Sequence, residues 1–380
     1  TLSLVSPQRV RSMHPETPYT LALSLIDGMG SLTQRRLIEA CGSAQKLFAE
    51  ADTLPQLTPK ARQLLCREAQ SGALLKRAQT ILEREANAGN QVISLFDESY
   101  PKLLYHAADA PVVLFYRGNA EALAAKHMLA IVGTRNATRY GKAVVPKIIQ
   151  TLHRLVPDIV IVSGLAFGID ICAGRTALEE GIPTIAVLAS GLDYIYPREH
   201  LKEARQMTEL GGLLSEHPLG TGIERHQFVA RNRIIAGLCP ATLVIESALH
   251  GGALLTASMA IDYDRDVFAV PGRLTDPYSQ GCNRLIASEK AATFYSAEDL
   301  VDALGWSVQS QKSEQTLFPE RTLPDDPIIN LLRKADTMHF NDMILALKCS
   351  PAELSGRLFD LELDGYIEAI PGGRYAIALK

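Results

Sequence analysis

At roughly 100–200 residues per domain, a chain of 380 residues is too long for one small module and fits two or three. Its 38 Lys and Arg against 42 Asp and Glu leave a net charge of -4 with His neutral, which excludes a polycation that holds nucleic acid by bulk charge. A hydrophobic fraction of 47% beside 21% charged residues supports sizeable cores and excludes a largely disordered chain.

Residues 1–18 are broken by prolines and charges and hold no apolar stretch of signal-peptide type. No later apolar run reaches bilayer length, so the expected address is the cytoplasm, with no membrane partner. The six cysteines, Cys41, Cys66, Cys172, Cys239, Cys282 and Cys349, form no Cys-x-x-Cys pair, which suits a reducing compartment and indicates neither a zinc site nor a disulfide framework. Across 19–89, Leu21, Leu25, Leu32, Leu37, Ile38, Leu64, Leu65, Leu74, Leu75, Ile81 and Leu82 recur at helical spacing, predicting a small helical domain over 1–89. Between 91 and 118 the texture turns to short extended runs, VISLF at 92–96 and VVLFY at 112–116, separated by prolines that stop a helix; they read as strands added to the next domain.

From 128 to about 305, β-rich runs alternate with helical stretches: LAIVG at 129–133, IVIVS at 159–163, TIAVL at 184–188, TLVIES at 242–247 and DVFAV at 266–270. Continuous apolar strands spaced by helices predict an α/β fold, a doubly wound, mostly parallel sheet of extended Rossmann-like type over 90–306. The polar stretch 307–323 reads as a linker. Residues 324–380 give three helical segments and a hairpin turned by Pro371-Gly372-Gly373, the pattern of a winged helix.

Ligands of open α/β sheets sit beyond the carboxyl ends of the strands, where backbone N–H groups and helix N-termini face an anion. Gly-rich polar turns fall there repeatedly: Gly133-Thr134-Arg135-Asn136; SGLAFGID at 163–170, with Ser163, Gly164 and Gly168; Ser247 followed by GGALLTA at 251–257, with Gly251, Gly252 and Thr256; AVPGR at 269–273; and SQGCNRLI at 279–286, with Asn283. One such loop is only a tight turn; several on one edge point to an anion site. Neither Gly-x-Gly-x-x-Gly nor Gly-x-x-x-x-Gly-Lys-Ser/Thr occurs, so NAD and ATP are not expected as cofactors. No His-Glu-x-x-His pair or other metal constellation is present among nine histidines.

Charge patterning is sharper. Residues 122–157 contain no Asp or Glu while holding Lys126, Arg135, Arg139, Lys142, Lys147 and Arg154. A second acid-free window, 225–245, holds Arg225, His226, Arg231 and Arg233 around Phe228 and Asn232. Cations hold phosphates, and a ring stacks on an unpaired base for about 1–3 kcal/mol. Phe228 reads either as a core residue or as an exposed ring, and its position just after Arg225 and His226 is expected to be loop. Arg231 and Arg233 read as solvated or carboxylate-paired, with one expected to be structural and one ligand-facing. Glu216 and Glu246 are expected to anchor them.

Together IVGTR at 131–135, Tyr140-Gly141, SGLAFGID, GLDYIYP at 191–197, Leu214-Ser215-Glu216, FVARNRIIAGL at 228–238, GGALLTA, AVPGR and SQGCNRLI resemble the DNA-processing protein A family (DprA, also called Smf). The series extends upstream to Ser99-Tyr100-Pro101, Asp109-Ala110-Pro111 and Arg117-Gly118-Asn119. The resemblance implies a single-stranded DNA-binding mediator, not an enzyme, that loads RecA recombinase onto incoming strands during natural transformation, shields them from nucleases and forms a homodimer. It implies that Arg135 holds phosphate, that Gly133 and Gly164 let the strand approach the backbone, that Arg225 and Phe228 form a cation-and-ring platform, and that Arg231 and Arg233 complete the rim. The chain departs from the family pattern at His250-Gly251-Gly252-Ala253 and at Gly174-Arg175. The flanks resemble modules of longer members: a helix-hairpin-helix-like segment around Ile26-Asp27-Gly28-Met29-Gly30, and the winged helix. In the latter, 350–365 sets Arg357 alone against Glu353, Asp360, Glu362 and Asp364, a face that duplex phosphates repel.

The competing reading is a nucleotide-cleaving phosphoribohydrolase-like enzyme of related design, recognised by a Pro-Gly-Gly-x-Gly-Thr-x-x-Glu loop. The nearest stretch, 251–257, lacks the glutamate at that spacing, so no catalytic residue is assigned.

Overall fold

The structure, a computed structural model, describes residues 13–54, 57–306, 324–335 and 337–378; the expected linker at 307–323 lies outside them. Those up to Trp306 form one compact unit and those from Pro324 a second.

Nine strands make one sheet in the first unit: β1 (Gln91–Ser94), β2 (Val113–Gly118), β3 (Met128–Val132), β4 (Val160–Ser163), β5 (Thr184–Val187), β6 (Gly212–Ser215), β7 (Ala241–Val244), β8 (Asp266–Ala269) and β9 (Ala292–Thr293). Their order is β1-β2-β6-β5-β4-β3-β7-β8-β9, with β1 and β2 antiparallel at one edge and all pairings from β6 to β9 parallel. Every residue of β3, β4, β5 and β7 is buried, as helices on both faces require, which is why these strands read as unbroken apolar runs. The strand β6 escapes that signature because it opens on glycine. A Cβ at Gly211 would lie 1.9 Å from the Thr184 carbonyl oxygen, and one at Gly212 would lie 2.3 Å from the Tyr116 hydroxyl, so close strand approach demands the pair.

The helices between strands carry their apolar residues at i, i+3 and i+4. In Arg139–Leu155 the buried positions include Val144, Val145, Ile148, Ile149 and Leu152. The chain winds from β3 outward through β4, β5 and β6, then returns to place β7 beside β3 and continues through β8 and β9. The β3/β7 boundary is therefore a topological switch point, where the loops leaving the two strands diverge and open a crevice.

The N-terminal residues form the expected helices, Thr17–Ser24, Ser31–Cys41, Ala44–Ala49, Pro59–Ser71 and Ala73–Asn87. Leu21, Leu23, Leu37, Leu47 and Leu65 share one buried cluster with Val113, Phe115 and Leu213 of the sheet. The second unit has its own core of Ile328, Ile329, Leu332, Met343, Leu354, Leu358 and Ile367. Three helices, Pro327–Lys334, Phe340–Leu347 and Pro351–Leu363, accompany a sheet of β10 (Met338–His339), β11 (Ile367–Ile370) and β12 (Arg374–Ile377) in the order β10-β12-β11, a winged helix. No described helix is long and apolar enough to cross a membrane.

Candidate nucleic-acid interface

A cleft of about 260 Å3 lies at the switch point. It brings together Gly133, Thr134 and Arg135 from the loop after β3, Gly251, Gly252 and Thr256 from the loop and helix after β7, and Phe228, Arg231 and Asn232 from the helix Arg225–Leu238.

Hydrogen bonds fix the β3 loop. Thr134 N–H donates to the Glu246 carbonyl at 2.7 Å, and the buried Glu246 carboxylate accepts from Thr138 N–H at 2.9 Å and from the Thr138 hydroxyl. Glu246 thus holds the loop that presents Arg135, while Arg231 and Arg233 bond to other groups, contrary to the sequence expectation. The reason is proximity: β3 and β7 are neighbours, and both loops leave from the same edge. Glu216 does act as expected, pairing with Arg233.

Gly168 supports the same loop from below. Its φ of +79° lies where L side chains are strained, and a Cβ there would sit 2.1 Å from the Thr134 carbonyl oxygen. Gly168→Ala is expected to cost at least about 1 kcal/mol of backbone strain and to displace the Arg135 loop. Thermal unfolding should show a midpoint lowered by several degrees; an unchanged midpoint would contradict the assignment.

Arg135 is exposed, and its guanidinium carbon lies 5.4 Å from the Phe228 ring centroid, within cation–π range. The Tyr196 ring meets Phe228 edge-on at 5.7 Å. Phe228 does not stand in a loop as expected: it belongs to the first turn of Arg225–Leu238, where Glu224 and Gln227 form a capping box that starts the helix three residues earlier. That Glu-x-x-Gln spacing was the available signal. Arg225 is exposed on this turn but outside the cleft lining, and the cation over the ring is Arg135.

Arg231 and Arg233 are both buried, which corrects the expected division between a structural and a ligand-facing one. Arg233 is spent on Glu216 and the Ser31 hydroxyl. Arg231 lines the cleft, yet its Nη1 donates to the Gly164 carbonyl at 2.7 Å and to the Val187 carbonyl, closing the ends of β4 and β5. Beside it Asp170, also buried, accepts from Gly164 N–H at 3.1 Å. Burial lowers the Arg231 pKa to about 10 and raises that of Asp170, each opposed by the attraction of the other.

The remaining candidates stand outside the main cleft lining. Ser163 is buried and donates to the Ile131 carbonyl at 2.7 Å, and the Asn283 amide clamps Gly272 through both its N–H and its carbonyl. Gly164 is packed against Arg231, 2.5 Å from Nη2 if it carried a Cβ. At the other departure, a Cβ on Gly174 would meet only the flexible end of Met207, at 2.5 Å, and Arg175 pairs with Glu203 at 2.7 Å. Among the described residues no group of three or more His, Cys, Asp or Glu is placed to hold a metal ion. Tyr196 and Phe167 have no signal in the sequence, because exposure of a ring leaves no mark in the pattern of residues.

A family model described as DNA recombination-mediator protein A matches residues 91–305, more than half of the chain. The chain belongs to that family. Residues 312–373 match a second model, the DprA winged helix domain. Among DNA recombination-mediator proteins, the chain is 38% identical over 263 residues to the DNA processing protein DprA of Bacillus subtilis strain 168, covering 67% of this chain and 88% of that one. It is 34% identical over 321 residues to protein Smf of Escherichia coli strain K12, covering 80% and 85%. The X-ray structure of DprA from Streptococcus pneumoniae matches with TM-score 0.62 at 33% identity over 76% of this chain and 98% of that one. A DNA processing protein A from Helicobacter pylori, described for its single-stranded DNA binding mode, matches with TM-score 0.51 at 29% identity over 57% and 95%. The family is one of DNA-processing recombination mediators.

Proposed function

We propose that this chain binds single-stranded DNA and acts as a recombination mediator, protecting incoming strands and loading RecA recombinase onto them during natural transformation. The observation that carries the reading is the exposed Arg135 guanidinium over the Phe228 ring at the mouth of a glycine-walled cleft. A cation neutralises phosphate while a ring face accepts a base that only an unpaired strand can offer, since duplex bases are already stacked. Arg135 and Arg225 meet phosphates. Gly252, open where a side chain would stand, lets the strand approach the backbone; Gly133 and Gly251 pack against Ile169 and Ser247 and shape the loops; and Thr134, Asn232 and Thr256 supply polar contacts. Ser163, Gly164, Gly168, Arg231, Arg233 and Asn283 hold the loops in place, a supporting role in place of the direct contact that the sequence suggests. A homodimer would link two such sites and raise apparent affinity without new contacts.

The test is a titration of labelled oligo-dT and a matching duplex across a salt series. Oligo-dT is expected to bind at least tenfold more tightly; equal affinities would overturn the reading. Against the phosphoribohydrolase alternative stands the cleft's chemistry: its lining carboxylate is Asp170, buried and held by Gly164 N–H rather than free to act on a substrate.

The boundaries 1–89, 90–306, 307–323 and 324–380 complete the proposal, with the winged helix in a protein-contact role. Its helix Pro351–Leu363 exposes Phe359 among acidic residues, and its one cation, Arg357, pairs with Asp326 at 2.6 Å. Having its own core, the 324–380 fragment is expected to show no tight duplex binding at physiological salt; nanomolar binding in a gel-shift assay would refute the role.

A further inference from the structure

A second, much smaller hollow of about 10 Å3 adjoins the cleft and shares Arg135 and Phe228 with it. Its border is formed by Phe167 and Tyr196, 43% and 45% exposed. Other rings of the chain are as exposed, but these two border a hollow that the Arg135 cation also lines. Both are braced. Tyr196 packs edge-on against Phe228, and Phe167 packs edge-on against His200 at 5.0 Å. His200 is itself buried, with Nδ1 at 2.8 Å from the Leu165 carbonyl. Rings fixed before a ligand arrives lose little freedom when it stacks on them.

The hollow's chemistry narrows the ligand. Its lining has no carboxylate; Gly164, Ala166 and Pro197 add small or apolar surface, and the sole charge is the Arg135 guanidinium. Flat apolar faces beside one cation suit an aromatic group attached to an anion, which is a nucleotide. The Tyr196 and Phe228 centroids are 5.7 Å apart, more than the roughly 3.4 Å spacing along a stacked strand, so two neighbouring bases could occupy the two rings only if unstacked from each other.

We propose that Phe167 and Tyr196 form a second nucleobase subsite, which receives the nucleotide adjacent to the one on Phe228 while Arg135 holds the phosphate between them. This rests on the single-stranded DNA reading above and extends it to residues outside the main cleft. The subsite makes the strand's path continue from the glycine loops of β3 and β7 toward the loop after β5, instead of ending at Phe228.

The full chain is irradiated with oligo-dT carrying one 5-iodo-deoxyuridine at successive positions, and adducts are mapped by peptide mass spectrometry. Adducts on Phe167 or Tyr196 are expected when the iodinated base is one position from that which marks Phe228; adducts confined to Phe228 would overturn the subsite. In parallel titrations, Phe167→Ala and Tyr196→Leu are each expected to weaken oligo-dT binding about fivefold or more with the salt slope unchanged. Leucine keeps apolar bulk against Phe228, and Tyr196→Phe, which keeps the ring, should bind within twofold of wild type. If wild type binds and the Phe167→Ala and Tyr196→Leu variants match it, the subsite alone falls. If wild type fails to bind oligo-dT, the parent reading falls with it.

Discussion

Alanine at Phe228 is expected to weaken oligo-dT binding about 5- to 150-fold, the worth of about 1–3 kcal/mol of base stacking. The salt dependence should not move, because a neutral ring releases no counterions. Alanine at Arg135 should weaken binding as well, but with a shallower slope of log affinity against log salt, by about 0.7 for one phosphate contact on a single strand. The guanidinium lies 5.4 Å from the ring centroid, so each group also orders the other. The double variant should therefore lose less than the sum of the two single losses. Anisotropy titrations at four or five salt concentrations decide the matter: identical slopes for wild type and Arg135→Ala would remove Arg135 from phosphate contact, and an unchanged affinity for Phe228→Ala would remove the ring from the base.

Arg231→Met should cost the fold about 1–3 kcal/mol or more, the usual penalty for leaving buried carbonyls without their donor. The thioether fills part of the space, but the Gly164 and Val187 carbonyls lose their donor and Asp170 stays buried without its neighbouring cation. Adding Asp170→Asn should recover part of the loss, since an amide still accepts from Gly164 N–H and carries no charge. Urea denaturation measures both; a single-variant loss below about 1 kcal/mol would mean the Arg231 network is dispensable. The pH dependence has a definite sign. Unfolded, Asp170 ionises near about 3.9, and folded it does so at higher pH because burial penalises its charge. Between those values the native state holds the extra proton, so this site's contribution to stability grows as pH falls through the window. Wild type should accordingly gain on Asp170→Asn between pH 7 and pH 4.

The strands β3, β4, β5, β7 and β8 were legible because each is an apolar run, and burial on both faces of a parallel sheet removes the alternation that would complicate it. β6 was legible only as a motif, since its leading glycines serve contacts with Thr184 and Tyr116 that no local pattern reveals. In the site, residues of the glycine loops and of both acid-free windows line one cleft, but individual side chains differ from the expectation: Phe228 lies in the first turn of a helix, Arg231 and Arg233 are buried, and Glu246 holds Thr138.

Local pattern by itself determined the elements, their order, the polar glycine turns at the strand ends and the separate winged helix, because spacing and apolar content act over a few residues at a time. Only the tertiary structure decided which turns meet and which cation faces outward. The β3/β7 switch point joins residues 133–135 to 251–252 across more than a hundred positions, and whether an arginine is free or consumed depends on the carbonyls and carboxylates that folding sets beside it.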